Sequence, residues 1–410
     1  MSSIPFTLNY FSQGDPPAQT APLDQEIKAD VVIVGAGLVG LSCAYSLCEA
    51  GLDVALVERE YVGCASSGRH LGHVTPHSWD LGPREPQRLA QWAQGCVDEL
   101  EKLVSDENIE CEFARADFWM PAVWEKDMRS VGRAVEYYKQ LGVAARLVQE
   151  SDFDLVSYKT FGAMAIEDQA RMDPYLFVRG MREAVLRKGV RLYEGTPVSS
   201  VESGTPVIIR TPGGTIQATK AILATNAYSG EFPFLRNYVE AQHVYSIVTS
   251  PLDDETAAQV GPEEARELMI FDYSRSAARP HFYQRFRQDG RLIFGGGAGT
   301  PPLAPDRLAP DDNQEQFQTL QAEMIRRYPA LESIPIEIAW GGSVSGTATG
   351  LPILAELPDK QNIILAVVGN GNGVGLGTSA GRLVKGLVLG RDTLDGLTRD
   401  FLDLCRLPEH

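Results

Sequence analysis

The stretch Asp30-Val-Val-Ile-Val-Gly35-Ala36-Gly37-Leu-Val-Gly40 predicts a buried strand, a glycine-rich turn and the start of a helix. Gly35 allows the tight turn after the strand, Gly37 lets the backbone approach a pyrophosphate, and Gly40 lets the helix pack closely on the strand. A second apolar strand then ends at Glu58, a carboxylate placed to accept a hydrogen bond from a ribose hydroxyl. The unit predicts a βαβ dinucleotide site and disfavours NADP, whose 2′-phosphate a carboxylate repels.

Size and charge narrow the function classes. The chain has 410 residues, 44% of them hydrophobic and 22% charged, which predicts a nucleotide-binding domain and a second domain of comparable size. The formal net charge of −17 repels phosphate backbones and argues against nucleic acid as a partner. It mildly favours a cationic small-molecule substrate such as an amine, although acidity of this kind mostly maintains solubility.

The N-terminus and the cysteines bear on location. Residues 1–27 lack the basic start and apolar run of a secretory signal, and we interpret them as an arm laid over the surface. No stretch approaches the ~20 consecutive apolar residues of a spanning helix. The six cysteines show no Cys-x-x-Cys pair, so we expect neither a metal site nor a disulfide framework, and a cytoplasmic location fits. The oligomeric state stays open.

The rest of the chain alternates between two patterns. Residues 220–228 and 362–368 are apolar strands that end in small residues, as buried parallel strands do. Between them, residues 241–327 carry longer alternating strands and one helix, a pattern typical of an antiparallel sheet with a helical cover. We therefore predict an α/β fold with a nucleotide domain made of residues 28–80, 165–240 and 335–405. A second domain comprises residues 81–164 and 241–334.

Several motifs together resemble the FAD-dependent amine oxidoreductase superfamily, which includes D-amino-acid oxidase, glycine oxidase and monomeric sarcosine oxidase. They are the N-terminal fingerprint, the strand end Ala224-Thr-Asn-Ala227 and the turn Gly369-Asn-Gly-Asn-Gly-Val-Gly-Leu-Gly377. Ser67-Gly-Arg-His-Leu-Gly-His73, Tyr283-Gln-Arg285 and Trp340-Gly-Gly342 are similar to segments of the gamma-glutamylputrescine oxidase branch. The resemblance implies a glutathione-reductase-type FAD-binding Rossmann domain with a discontinuous antiparallel-sheet substrate domain, as in D-amino-acid oxidase.

The chain departs from these relatives at three places. The branch's Gly-Tyr-Ser-Gly-His-Gly turn appears as residues 368–373 without its aromatic residue and histidine, and we expect the usual substrate to differ with them. Residues 341–357 lack the cysteine that anchors flavin in sarcosine oxidases, which predicts noncovalent FAD. No lysine lies between Lys220 and Lys360, whereas those oxidases use a lysine to activate oxygen, so rapid reaction with O2 is in question.

The cofactor-binding residues that we predict fall into four groups. The ADP half is assigned to Gly35, Ala36, Gly37, Gly40, Glu58 and Arg59, and the pyrophosphate and ribityl chain to Ser66, Ser67, Gly68 and Arg69. By the resemblance, Val198, Ala224 and Thr225 close over the adenine half, although Val198 and Ala224 are equally consistent with core positions. Backbone N–H groups of Gly371, Asn372, Gly373, Val374 and Gly375 would stabilise negative charge on flavin N1 and C2=O. The alternative there is a merely flexible loop.

Fewer residues are predicted to bind the substrate or act on it than to bind the cofactor. With pKa values near neutrality, His70 or His73 would take a proton or keep the amine neutral, or else serve as a structural hydrogen-bonding residue. Arg285, with Tyr283, is placed by the resemblance over the flavin and suits a carboxylate, the alternative being a surface ion pair. Tyr245 and Trp340 would line an aromatic cage or belong to the core. Asn370 and Asn372 would offer amide contacts.

The leading hypothesis is an FAD-dependent oxidase or dehydrogenase that acts on the C–N bond of an amine or amino acid. Hydride transfer to flavin N5 would give an imine that hydrolyses, and O2 would reoxidise the flavin and leave as H2O2. A biosynthetic dehydrogenase that passes electrons to a quinone or another acceptor is the first alternative. A flavin-binding subunit that is inactive alone is the second. A simple nicotinamide dehydrogenase would leave the turn at residues 371–377 unexplained.

Overall fold

A computed structural model of the chain describes residues 3–12, 19–76, 86–273, 281–304, 306–371 and 373–407. They build two β-sheets with flanking helices. The first sheet contains β1 (Glu26–Val34), β2 (Val54–Val57), β7 (Arg191–Tyr193), β8 (Ser200–Glu202), β9 (Val207–Arg210), β10 (Thr215–Leu223), β16 (Ile353–Glu356) and β17 (Ile363–Val367). The second contains β3 (His73–Val74), β4 (Ala114–Pro121), β5 (Ala145–Gln149), β6 (Gly162–Arg171), β11 (Glu240–Thr249), β12 (Met269–Phe271), β13 (His281–Phe286), β14 (Leu292–Thr300) and β15 (Ile336–Gly346). The helices are α1 (Leu38–Glu49), α2 (Pro86–Asp106), α3 (Met128–Gln140), α4 (Pro174–Arg187), α5 (Asp254–Val260), α6 (Gln314–Arg327), α7 (Gly377–Leu389) and α8 (Gly396–Leu404).

The first sheet has the order β16-β17-β10-β1-β2-β7, with β9 and then β8 attached antiparallel to β10. The strands β17, β10, β1, β2 and β7 are mutually parallel. Their apolar residues are buried on both faces: α1 and α7 cover one face, and the β8-β9 ribbon packs on the other. The carboxyl ends of the parallel strands therefore meet at one edge, where an open α/β sheet binds its ligand.

The second sheet has the order β15-β11-β14-β13-β12-β4-β6-β3, with β5 paired to β6. All its pairings are antiparallel except β12 with β4, so the predicted antiparallel sheet carries one parallel pair. Helix α6 packs on one face, against a core that includes Phe294, Phe317 and Met324. The opposite face is turned toward the loop that follows β2, since Leu71 of that loop packs with Ile293 and Trp340.

Sheet membership differs from the predicted segments at three places. Strands β3, β6 and β15 lie in the second sheet, although residues 28–80, 165–240 and 335–405 were assigned to the nucleotide domain. All three strands lie within about ten residues of a predicted boundary. The division of the chain into domains stays a prediction, and by strand pairing residues 73–74, 162–171 and 336–346 go with the second sheet.

The N-terminal arm is more deeply embedded than a surface arm would be. Phe6 pairs with Ala339 at the edge of β15. Tyr10 is only 1% exposed and stacks on Trp340 with 5.0 Å between ring centroids, while the side chain of Asn9 donates to the carbonyl of Gly63 over 2.9 Å. The arm thus joins the second sheet to the loop after β2. None of the described helices is both long and apolar enough to cross a membrane.

Candidate functional site

The glycine-rich turn after β1 has the geometry that the fingerprint predicts. Gly35 has φ +99°, and a Cβ placed there would lie 2.7 Å from the carbonyl oxygen of Ala224. A Cβ on Gly40 would overlap the carbonyl oxygen of Gly35, and one on Gly37 would lie 3.0 Å from Ser67 Oγ. Each glycine is therefore required by a close approach, and the N-terminus of α1 faces Ser67.

Glu58 holds this turn from the end of β2. Its Oε2 accepts the N–H of Ala36 over 2.9 Å, and its Oε1 accepts the N–H of Glu60 over 3.1 Å. Desolvation raises the pKa of the carboxyl above its usual range despite these hydrogen bonds. The neighbouring Arg59 points away, since it pairs with Glu231 over 2.9 Å and lies over the ring of Tyr228.

The loop after β2 contributes the predicted serines. Ser67 Oγ accepts the N–H of Leu38, the first residue of α1, over 3.0 Å, and Ser66 Oγ accepts from the side chain of Asn226 over 3.2 Å. A Cβ on Gly68 would overlap the carbonyl oxygen of Gly63, so the short helical turn at residues 66–68 is tightly closed. Hydroxyls and a helix N-terminus at one place form an anion site.

The three residues predicted over the adenine half lie near this edge. Ala224 N–H donates to the carbonyl of Val34 over 2.9 Å, which extends the pairing of β10 with β1. Thr225 is bonded to Ser229, with 2.9 Å between the hydroxyl oxygens. The side chain of Val198 is half-buried against the core between β8, β9 and the sheet. Their contact with a cofactor stays a prediction.

The second glycine-rich turn, residues 369–376, lies next to the segment that follows β3. A Cβ on Gly375 would lie 2.9 Å from Pro76, and Val374 is buried. Gly369, Asn370 and Gly371 have φ values of +59°, +55° and +76°, which explains the two glycines. The side chain of Asn370 accepts the N–H of Thr347 over 2.9 Å, so its amide is engaged at the end of β15. Asn372 lies outside the described residues.

Arg285 is buried and holds the backbone of the loop. It is 2% exposed, and its Nη1 donates to the carbonyl oxygens of Leu71 over 2.7 Å and Met172 over 2.6 Å. A Cβ on Gly72 would overlap both the carbonyl of Met172 and this guanidinium. These contacts make Arg285 a positioning residue and give no support to the surface ion pair. The carboxylate role stays a prediction that they do not favour.

The two loop histidines are neutral. Burial, and then the positive charge of Arg285, lower the pKa of both His70 and His73 to about 3. The near-neutral pKa expected from the sequence is therefore not what these surroundings give. His70 Nδ1 accepts the N–H of Gly72 over 2.9 Å, which assigns its proton to Nε2. Neither ring serves as a strong base, but each offers hydrogen-bonding atoms.

The second sheet presents a row of cross-strand neighbours to the loop. The row is Trp340, Ser246, Gly295, Tyr283 and Phe271. The ring of Tyr283 lies over Gly295, because a Cβ there would overlap it, and next to Ser246. Burial raises the pKa of Tyr283. The Trp340 indole N–H donates to the carbonyl of Arg69 over 2.9 Å, so this row and the loop are bonded together.

Tyr245 lies apart from these residues. Its ring packs on Phe317 of α6, and its hydroxyl donates to the carbonyl of Pro310 over 3.1 Å. Strand alternation puts it on the face opposite Ser246, so its packing supports the core interpretation rather than the cage. Trp340 is 2% exposed and stacks on the ring of Tyr10 from the N-terminal arm, which also supports a core position.

Two ion pairs near the site, one partly buried at Asp311 and one buried at Glu194, were not predicted. Asp311 lies 2.7 Å from Arg69 Nη1 and 2.8 Å from His243 Nε2. Glu194 Oε2 accepts from Arg182 over 2.7 Å, and its Oε1 accepts the N–H of Val62 over 2.9 Å. Burial opposes charge on both carboxyls, but the hydrogen bonds outweigh it and lower their pKa values. Neither acid belongs to a motif, so only the fold brings them to the loop.

Several polar atoms at this place lack a partner within the described part of the chain. They include Nε2 of His70, Nε2 of His73, Nε of Arg69, Nε of Arg285 and Oγ1 of Thr378 in the first turn of α7. Buried polar atoms in proteins nearly always have a partner. A Cβ on Gly373 of the second turn would meet no described atom within 4 Å. The anion site at α1, these atoms and the open space at Gly373 fit FAD, whose pyrophosphate and heterocycle carry matching polar groups.

Comparisons with known proteins agree with this geometry. The DAO family model, described as FAD dependent oxidoreductase, matches residues 30–387. The chain is 30% identical over 395 residues to the probable oxidoreductase OrdL of Rhizobium meliloti (strain 1021), with 93% of this chain and 87% of the relative covered. It is 24% identical over 380 residues to gamma-glutamylputrescine oxidoreductase of Escherichia coli (strain K12), with 90% and 85% covered.

Among solved structures, glycine oxidase from Geobacillus kaustophilus is similar with a TM-score of 0.78 and 19% identity, covering 93% of this chain and 99% of the other. This likeness confirms the predicted fold class, and the family match confirms the resemblance and FAD as the cofactor. The chain belongs to the family of FAD dependent oxidoreductases.

Proposed function

We propose that this protein oxidises the C–N bond of an amine or amino acid and holds its FAD noncovalently. The main support is that the loop after β2 lies between two features: the dinucleotide turn at Gly37, which it meets through Ser67, and the Tyr283 row of the second sheet. Similar proteins named gamma-glutamylputrescine oxidoreductase and glycine oxidase support a nitrogen-containing donor. The free cysteines among the described residues are consistent with a cytoplasmic location.

When bound, FAD would supply the redox chemistry: it would accept a hydride from the carbon next to nitrogen and pass two electrons to an acceptor, so that O2 and two protons would give H2O2. The donor also loses a proton from nitrogen and becomes an imine, which water hydrolyses. The donor must therefore react as a neutral amine with a free lone pair.

The charges around the loop favour that neutral form. Burial, and then the positive charge of the buried Arg285, lower the pKa of both His70 and His73 and keep both rings uncharged. A cationic ammonium placed beside the same guanidinium would be repelled in the same way. Arg285 thus contributes twice, because it fixes the backbone at Leu71 and disfavours protonation of a bound amine.

The proposal allows two kinds of electron acceptor, O2 or another oxidant. No lysine lies between Lys220 and Lys360, and the described cation on the loop-facing side of β13, Arg285, is engaged with two carbonyls. This observation favours an acceptor other than O2, such as a quinone. A flavin-binding subunit that needs a partner for activity is the remaining alternative.

Anaerobic reduction of the purified yellow protein tests the function. Amines and D- and L-amino acids are added in turn, the long-wavelength flavin absorbance is followed, and air is then readmitted. Bleaching by an amine or amino acid supports the proposal, fast recolouring with peroxide shows an oxidase, and slow recolouring that an artificial acceptor accelerates shows a dehydrogenase. A flavoprotein that no nitrogen donor bleaches contradicts the proposal. Gly37→Val, which should lose its flavin, and Gly132→Ala, which should keep it, are the matched controls.

A further inference from the structure

Asn226 lies where four segments around the predicted cofactor site meet. It follows β10, and its side chain contacts Ser66 of the loop after β2 and Ser345 of β15. Ser345 in turn contacts the second glycine-rich turn, because its carbonyl accepts the N–H of Asn370 over 2.7 Å and a Cβ on Gly369 would lie 2.9 Å from its hydroxyl oxygen. The amide of Asn226 is therefore held by a side chain that is itself fixed between a strand and a turn.

Both the backbone and the side chain of Asn226 favour asparagine. Its φ is +45°, a left-handed conformation that asparagine, aspartate and glycine tolerate better than other residues. Ser345 Oγ donates to its Oδ1, and its Nδ2 donates to Ser66 Oγ over 3.2 Å. Of the three residue types, only asparagine both accepts and donates through its side chain.

The bond from Asn226 decides what the Ser66 hydroxyl can do. A serine hydroxyl has one hydrogen to donate and two lone pairs that accept. Ser66 Oγ accepts from Asn226, just as Ser67 Oγ accepts the N–H of Leu38. Among the residues that the structure describes, none accepts the hydrogen of either hydroxyl. Both hydrogens are therefore available to donate to an anion at the N-terminus of α1.

We propose that Asn226 is a positioning residue for FAD: its amide, fixed by Ser345, donates to Ser66 and thereby directs the hydroxyl hydrogen of Ser66 toward the FAD pyrophosphate. An anion gains more from a donor that is already oriented than from one that must turn on binding. The inference requires the FAD cofactor but not the identity of the donor, so it goes beyond the proposed oxidation of a C–N bond.

Two substitutions at Asn226 separate the donor from the backbone conformation. Asn226→Gly keeps the left-handed backbone and removes the side chain, and we expect the dissociation constant of FAD to rise about 3-fold to 10-fold. Asn226→Asp keeps the shape, but its carboxylate would accept the hydroxyl hydrogen of Ser66 and add negative charge beside the anion site. FAD should therefore bind at least ~10-fold more weakly to Asn226→Asp than to Asn226→Gly.

The measurement is a dilution series of the FAD-loaded full chain, in which the fluorescence of released flavin gives the dissociation constant. A double-variant cycle then tests whether Asn226 acts through Ser66. Ser66→Ala removes the oriented hydroxyl and should raise the dissociation constant by roughly 10-fold. Ser66→Ala/Asn226→Gly should bind FAD at most ~2-fold more weakly than Ser66→Ala alone. If Asn226 only supported the fold, the two effects would multiply.

Asn362→Gly is the matched control. Asn362 has φ +63°, and its side-chain amide donates to the carbonyl of Gly204 over 2.9 Å at the amino end of β17, away from the carboxyl edge of the sheet. This variant should leave the dissociation constant of FAD unchanged.

Three results would overturn the inference while the proposed function stands. They are an Asn226→Asp protein that binds FAD as tightly as Asn226→Gly or more tightly, effects that multiply in the cycle, and an equal loss of affinity in Asn362→Gly. If Asn226→Asp does not fold, the cycle built on Asn226→Gly decides. A wild-type flavin that no nitrogen donor bleaches would instead count against the proposed function and not against the role of Asn226.

Discussion

Acidification should destabilise this protein through His70 and His73. In the unfolded chain an imidazole has a pKa of about 6.5, whereas in the fold burial and Arg285 lower both values to about 3. Between these two values the unfolded chain binds more protons than the folded one, so stability is lost as the pH falls through this window. When the pH falls from about 7 to about 5, each histidine raises the equilibrium constant of unfolding by a factor of roughly 25. Each therefore lowers the free energy of unfolding by about 2 kcal/mol.

The expected loss is nearly the same for any folded-state pKa below about 4, because the folded rings are then unprotonated at both pH 7 and pH 5. The assay is urea unfolding at saturating FAD, followed by far-ultraviolet circular dichroism at both pH values. We expect the wild type to lose about 4 kcal/mol more than His70→Gln/His73→Gln, and each single variant to recover about half of that difference. Equal pH dependence in the wild type and the double variant would refute the argument.

Three further substitutions test the contacts that shape the site. Arg285→Met leaves the carbonyls of Leu71 and Met172 unpaired and should lower the free energy of unfolding by about 3 kcal/mol and weaken FAD retention. Arg236→Met, at an exposed pair with Asp306, should cost less than ~1 kcal/mol; equal losses in urea unfolding would contradict the assignment. Gly40→Ala places a methyl group on the carbonyl of Gly35, and this variant should lose its FAD on gel filtration. Its control, Gly132→Ala on an open helix surface, should raise the free energy of unfolding by up to ~1 kcal/mol. A Gly40→Ala protein that stays yellow would count against the close packing. Asp311→Asn removes the charge shared by Arg69 and His243 and should cost roughly 2 kcal/mol and speed FAD loss on dilution, which a fluorescence measurement of released flavin would detect or exclude.

The sequence was most informative where one short motif makes its own contacts. The turn at Gly35, Gly37 and Gly40 and the acid Glu58 all interact within a single βαβ unit, so their spacing along the chain sets their geometry. Strand and helix positions likewise followed from periodicity, because that pattern lies within a single segment of the chain. The strand at residues 362–368, for example, is β17.

Predictions that depend on long-range pairing were less accurate. The strand predicted at residues 220–228 is β10, which begins earlier, at Thr215, because its first half pairs with β9 and β1 and its second half with β1 and β17. The face on which Tyr245 lies is set by the register of β11 against β15, and alternation alone does not tell which face meets the loop. Strand β12, whose Phe271 pairs with Tyr283, was missed because it has three residues.

The charges of the site were the least accessible to sequence reasoning. A histidine in a polar loop has a near-neutral pKa by default, and only the burial of His70 and His73 beside Arg285 lowers it. Asp311 lies 242 residues from its partner Arg69 along the chain. No local pattern marks such a pair.

The crystal structure of the FAD-loaded protein with a nitrogen-containing donor bound anaerobically tests the central claim most directly. The measured quantity is the position of the flavin ring and of the donor nitrogen relative to His70, His73 and Tyr283. The account predicts a flavin ring within hydrogen-bond distance of at least one histidine Nε2, and the donor between the flavin and the Tyr283 row of the second sheet. A flavin ring placed away from the loop after β2, or a donor bound away from the Tyr283 row, would contradict it.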